Sequence, residues 1–200
     1  MLKYFFIFCA FLPVLMSSMC KKDYYTGTEN VRLNASINSP NETIHLGDTL
    51  KIDLSIPSSI TSESGQINNV SSVQEALYTF TFYQVDTVTN LDTRIRNSTS
   101  IFVSKGSINS YLAAVSTSTG SLPFESILNL VPPSKGLYYV EITGSGSIKV
   151  NNSYQAFLKI NFSVTSKHWN LLEPFTPGIS ASLAANQDAQ GYGFYCFRVN

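Results

Sequence analysis

The side chains able to do chemistry are few and scattered in this 200-residue chain, which has 2 histidines, 3 cysteines and 13 acids. His45 and His168 lie far apart, and neither has the close His, Cys or carboxylate neighbours of a zinc site. Gly-x-Ser-x-Gly elbows and Gly-x-x-x-x-Gly-Lys phosphate loops do not occur. A glycosidase needs two carboxylates flanking one bond. Asp48, Asp53, Asp86, Asp92 and Glu141 lie in or beside expected strands, where alternation sends them to the wet face. No Asp/Asn/Gly ladder marks a calcium loop. The sequence therefore offers no catalytic, metal or cofactor set, and it reads as a non-enzyme. A carboxylate hydrolase is the least favoured class.

The cysteines raise a different chemistry. Lys3 precedes an apolar run from Tyr4 to Met16, which Cys20 and the charged stretch Lys21-Lys22-Asp23 follow. One positive charge ahead of about 7–15 apolar residues describes a signal peptide, whereas a membrane-spanning helix needs roughly 20. The position of Cys20 resembles a bacterial lipoprotein signal, in which the leader is cut before a cysteine that is then acylated. Ser18 fits that pattern, while Ser17 and Met19 depart from its preferred residues. Cys20-Lys21-Lys22-Asp23 looks like the start of many Bacteroidota lipoproteins. The resemblance implies lipidation at Cys20, an anchor in the membrane and a place in the cell envelope, at the outer membrane. Three acyl chains exceed the two signals that stable anchoring requires. The expected organisation is a leader over 1–19, a lipidated tether over 20–30 and one domain over 31–200. Secretion with cleavage after Ser17 or Ser18 is the alternative.

With Cys9 discarded and Cys20 acylated, Cys196 stands alone and no intrachain disulfide forms. Without acylation, a Cys20–Cys196 bridge stays open. Cys196 sits in the aromatic run Gly193-Phe-Tyr-Cys-Phe-Arg-Val199 and is expected to be a small buried hydrophobe. Lysines and arginines number 13 against 13 acids, and charged residues make up only 13% of the chain. No basic stripe exists, so the electrostatic footprint of nucleic-acid binding is missing. Abundant Ser, Thr and Asn keep the surface wet instead.

The elements that must carry these residues read as strands. Leu50, Ile52, Leu54 and Ile56 alternate with polar residues, as do Leu158, Ile160, Phe162 and Val164. Tyr78 to Phe82 repeats the pattern with aromatics. Further strands are expected over Val31 to Ile37, Thr99 to Val103, Tyr111 to Ser116, Leu137 to Thr143, Ser147 to Val150 and Tyr192 to Val199. Turns are expected at Gly47-Asp48, Lys105-Gly106, Thr119-Gly120, Gly144-Ser-Gly146 and Asn151-Asn152. Val70 to Leu77 and Ser126 to Leu130 are the two candidate short helices. The class is all-β, a single sandwich without a disulfide.

Gly136-Leu137-Tyr138 resembles the Gly-x-Tyr start of strand F in immunoglobulin-like sandwiches, where the tyrosine hydroxyl bonds back to the corner backbone. Val140 stands where the immunoglobulin cysteine would fall. Leu46-Gly-Asp-Thr-Leu-Lys-Ile-Asp-Leu54 resembles the start of strand B. Residues 167–191 are expected as a long connection over one end of the sandwich, followed by a strand that completes a sheet.

Two partner signals remain. Trp169 and Tyr192 are candidate ligand contacts, since exposed aromatics stack on sugars. Asp48-Thr49-Leu50 and Asp86-Thr87-Val88 resemble the O-glycan acceptor pattern of exported Bacteroidota proteins, which makes Thr49 and Thr87 candidate sites. The expected function is an envelope accessory module binding a protein or glycan. The alternative is a fimbrial or assembly component that pairs subunits through its C-terminal strand.

Overall fold

The computed structural model describes residues 27–39, 41–65, 67–96, 100–109, 114–120, 122–151, 154–164, 167–178 and 193–200. The leader, Cys20 and Tyr192 lie outside them. The strands are β1 (Thr28–Ile37), β2 (Thr43–Ile44), β3 (Leu50–Ile56), β4 (Ser59–Thr61), β5 (Ile67–Asp86), β6 (Leu91–Ile95) and β7 (Ile101–Lys105). They continue with β8 (Ser107–Asn109), β9 (Ala114–Gly120), β10 (Phe124–Leu130), β11 (Gly136–Val150), β12 (Tyr154–Val164) and β13 (Gly193–Val199). Two 3-10 turns, Trp169–Leu171 and Glu173–Gly178, precede the last strand. Among the described residues no helix is long and apolar enough to cross a membrane.

The sheet runs β7-β10-β3-β1-β12-β11-β5-β9-β8. Its two ends, β7 and β8, touch and are joined through Gly106, so the sheet curls around one core. Two long strands, β5 and β11, pair along their length and serve both layers. Their lower halves carry β6 on one edge and β13, then β2, on the other. Their upper halves carry β9 and β12. This is an immunoglobulin-like β-sandwich, in which β1, β3, β10 and β7 share one core with β5, β11 and β13. Alternation builds the core as expected, with Leu50, Ile52, Leu54 and Ile56 at most 1% exposed and Leu158, Ile160 and Phe162 at most 2%.

The Gly-x-Tyr corner is present. The Tyr138 hydroxyl donates to the Ser134 carbonyl at 2.8 Å, the two hydroxyls lie 3.0 Å apart, and Gln84 Nε2 donates to Ser134 Oγ at 2.9 Å. Each hydroxyl proton thus has one acceptor. Gly136 takes φ 146°, a conformation that side chains resist. Tyr138→Phe strands the Ser134 carbonyl, which costs about 1–2 kcal/mol. Chemical denaturation with an unchanged m-value measures it.

Three local expectations fail. Val70 to Leu77 is strand, not helix. Its buried residues Val70, Val73, Ala76, Tyr78, Phe80 and Phe82 begin at helical spacing because the ladder with β11 slips twice, between Ser147/Ile148 and Lys149/Val150. Each bulge adds a residue and shifts the phase. Ser126 to Leu130 is likewise strand within β10, where Phe124, Ser126, Leu128 and Leu130 alternate inward and Asn129 is buried between the last two, its Nδ2 donating to Ser104 Oγ at 3.0 Å. Gly144-Ser-Gly146 is no turn but the middle of β11: a Cβ on Gly146 would lie 2.8 Å from the Glu75 carbonyl oxygen, and one on Gly144 would lie 3.0 Å from Tyr78. These glycines permit close strand approach. Thr119-Gly120 ends β9, whereas the chain turns as expected at Gly47, Gly106 and Asn151, which take positive φ of 97°, 109° and 49°.

Candidate functional site

Of the connection expected over 167–191, residues 167–178 are described and 179–191 lie outside the described residues. The two 3-10 turns lie on the outer face of β5, β11 and β13, where Leu172, Phe194, Cys196, Val85, Leu137 and Tyr139 form a second, smaller core. Trp169 is half-buried there, its ring edge-on to Phe194 at 5.4 Å between centroids. Cys196 is fully buried and free, as expected, and burial pushes its thiol well above the ordinary range. A protonated thiol is a weak nucleophile.

Beside this core, cross-strand pairing gathers polar groups that are distant in sequence. Register sets Asp92 opposite Val85, Arg94 opposite Tyr83, Tyr83 opposite Tyr139, and Glu141 opposite Thr81 and Phe194. The Tyr139 hydroxyl donates to Asp92 Oδ2, and the Tyr83 and Tyr139 rings stack at 4.6 Å. Burial first, then the Asp92 charge, raises the Glu141 carboxyl above the usual range, with Arg94 opposing. Two carboxylates in unlike environments are what acid–base chemistry would need. Here Asp92 is bonded to a phenol, and the stacked tyrosines fill the space next to it.

The sign of the Glu141 effect is definite. Its folded value is raised, so its contribution is most favourable in acid and is lost as pH rises from the ordinary glutamate range through the raised one. Glu141→Gln therefore flattens the fall of stability with pH across that window. Melting temperatures of both proteins between pH 4 and pH 8, on the order of the shift expected for one buried carboxyl, measure it.

A second feature is a groove of about 370 Å³ on the outer surface, lined by Arg32, Leu33, Asn34, Ser55, Pro57, Ser59, Ile60 and Thr61. It exists because β1 changes partner. Residues 28–35 pair with β12 and residues 35–37 with β3, while Val31 bridges Ser62 beyond β4. Between these two attachments β1 and β3 part, Pro57 ending the β3 ladder. Leu33 and Ile60 are buried as the floor, and Asn34, Ser59 and Thr61 stand exposed as walls. The adjoining face of β11, β12 and β1 places Thr143, Asn161 and Arg32 in one row and Ser145, Lys159 and Asn30 in the next. Phe157, opposite Thr28, is 49% exposed at its far end.

The other expected sites fall apart from these features. Thr49 is exposed in the turn before β3, where the His45 N–H donates to Asp48 Oδ2 at 2.8 Å. Thr87 is exposed in the β5–β6 turn, where Asp86 Oδ1 accepts from the Val88 N–H at 2.8 Å, bonds that hold the Asp86 carboxyl low. Both aspartates thus do turn work beside accessible threonines. His168 Nδ1 lies 3.5 Å from Glu42. Among the described residues, no group of three His, Cys, Asp or Glu side chains is placed to hold a metal. The groove and the acid–tyrosine cluster escaped sequence reasoning because each depends on which strands become neighbours.

No protein-family model matches this chain, and no curated protein matches it. Among solved structures it is similar to the ASH/PapD-like domain of human CEP192, at 8% identity over 65% of this chain and 87% of that one, with a TM-score of 0.26. It is also similar to AggA, the major subunit of aggregative adherence fimbriae type I from Escherichia coli, at 5% identity over 66% and 98%, with a TM-score of 0.30. A third similarity is to the CsuC–CsuE chaperone–tip adhesion subunit complex of Acinetobacter baumannii Csu pili, at 9% identity over 84% and 88%, with a TM-score of 0.27.

Proposed function

We propose that this chain is a lipoprotein anchored through Cys20 in the cell envelope, and that its sandwich is a binding module, not an enzyme. The observation that carries the binding reading is the groove between β1 and β3, which opens on an exposed surface of hydroxyls and amides. The acid–tyrosine cluster supports it from the other side. Its reactive groups are spent on one another and on packing, through the Tyr139–Asp92 bond and the Tyr83–Tyr139 stack. Pull-down of the full chain from its native envelope, with mass spectrometry of Cys20 and of bound material, tests the reading. An acylated Cys20 with a bound protein or glycan is expected. An unmodified Cys20 removes the anchor, and turnover of a glycan or peptide panel by residues 21–200 removes the non-enzyme.

The assembly alternative requires β13 to pair with another subunit. In this chain β13 pairs with its own β11 at every position from 193 to 199. A role in subunit pairing would therefore take the form of exchange between chains, the case that C-terminal truncation addresses.

A further inference from the structure

We infer that the groove between β1 and β3, together with the face of β12 and β11 beside it, is a binding site for a neutral polysaccharide chain. The inference rests on the binding reading above and adds the class of ligand and its location.

Three features of the surface choose the ligand. The first is charge. Arg32, at the groove's edge, lies 3.8 Å from Glu63, and Asn161 also donates to Glu63. The cation nearest the groove is therefore offset, and the exposed Lys159 in the next row is a single charge, so a polyanion meets no cluster of positive charge there. The second is the supply of hydrogen-bonding groups. Asn34, Ser59 and Thr61 on the groove walls, and Ser145 on β11, are exposed, and each can both donate and accept. Strand geometry repeats such positions about 4.8 Å apart across the sheet and about 6.8 Å along it. A chain of neutral hydroxyls matches a lattice of neutral hydroxyls and amides. The third is Phe157, a 49% exposed ring within β12 rather than at a turn. An aromatic face left in water among polar neighbours suits the apolar face of a sugar ring.

The occupant is long rather than a single sugar. The groove lies at Asn34 on β1, and Phe157 pairs with Thr28 at the other end of the same strand. Six residues of strand separate them, roughly 20 Å, so one ligand touching both must extend along β1.

Affinity electrophoresis of the full chain tests this in gels containing glucan, mannan or xylan, with polygalacturonate and heparin as charged comparisons. At least one neutral polymer is expected to retard the protein, and the charged ones are not. Phe157→Ala and Asn34→Ala, both surface changes, are expected to weaken retardation at least tenfold each. Val88→Ser, on the exposed β5–β6 turn, is expected to leave it unchanged. Absence of retardation by every neutral polymer overturns the inference, as does retardation that both variants retain, or retardation confined to the charged polymers. If the native pull-down still yields a protein partner that both variants hold, the binding reading survives and this inference does not.

Discussion

Removal of residues 193–200 abolishes the folded state. Strand β13 forms the ladder with β11 from Gly136↔Val199 to Ile142↔Gly193. Its free edge is also occupied, since the Cys196, Arg198 and Asn200 N–H groups donate to the carbonyls of Lys167, Glu42 and Ile44 at 3.0, 2.7 and 3.0 Å. The strand buries Phe194, Tyr195, Cys196, Phe197 and Val199. Phe197 stacks at 5.7 Å on Tyr138 and 5.8 Å on Tyr195, and the Tyr195 hydroxyl, pushed up to about 12 by burial, donates to the Ser39 carbonyl at 2.6 Å. Losing one large buried aromatic costs about 3–5 kcal/mol, and a domain has only about 5–15 kcal/mol in all. The truncated chain should show no near-ultraviolet dichroism and no cooperative melt. A folded, monomeric truncation that no longer associates would reverse the conclusion, making β13 a strand for exchange and favouring the assembly reading.

Gly193→Ala destabilises the protein by about 3 kcal/mol through overpacking alone. The position is a junction. Strand β12 lies along β11 up to Thr143↔Asn161 and then leaves to follow β1, and β13 takes its place at Ile142↔Gly193. Both strands crowd this point, so a Cβ on Gly193 would lie 2.6 Å from Phe162 Cβ, 3.0 Å from Ile142 Cβ and 3.1 Å from the Ile142 carbonyl oxygen. None of these is the yielding end of a flexible side chain, so a strand must move. At about 2–4 °C per kcal/mol for a chain of this size, the melting temperature should fall by roughly 10 °C. A fall below about 2 °C would mean that the junction is looser than this packing implies. Gly47→Ala is a useful contrast, because nothing lies within 4 Å of its Cβ and only its φ of 97° opposes the change.

Sequence reading reached the all-β class, most strands, the corner at Gly136 and Tyr138, and the buried state of Cys196. Each follows from a local rule. Period-two alternation marks a half-buried strand whatever lies across from it, and an aromatic run around a lone cysteine has nowhere to go but inside. The reading missed where strands were irregular. Residues 70–77 imitate a helix because two bulges reset the phase, and a bulge is a property of two strands, of which the sequence displays one at a time. Gly144 and Gly146 imitate a turn for a similar reason, since their neighbours Tyr78 and Glu75 lie on β5.

The candidate sites divide along the same line. Composition alone determined that the chain would be close to neutral and rich in hydroxyls and amides. Tertiary structure alone decided that Asp92 would meet Tyr139, that Trp169 would lie against Phe194, and that Asn34, Ser59 and Thr61 would share one groove. The physical reason is the period of a strand. Two residues apart along the chain fixes the face on which a side chain stands, but the partner beside it is chosen by register, and here register brings residues 47 positions apart into one hydrogen bond.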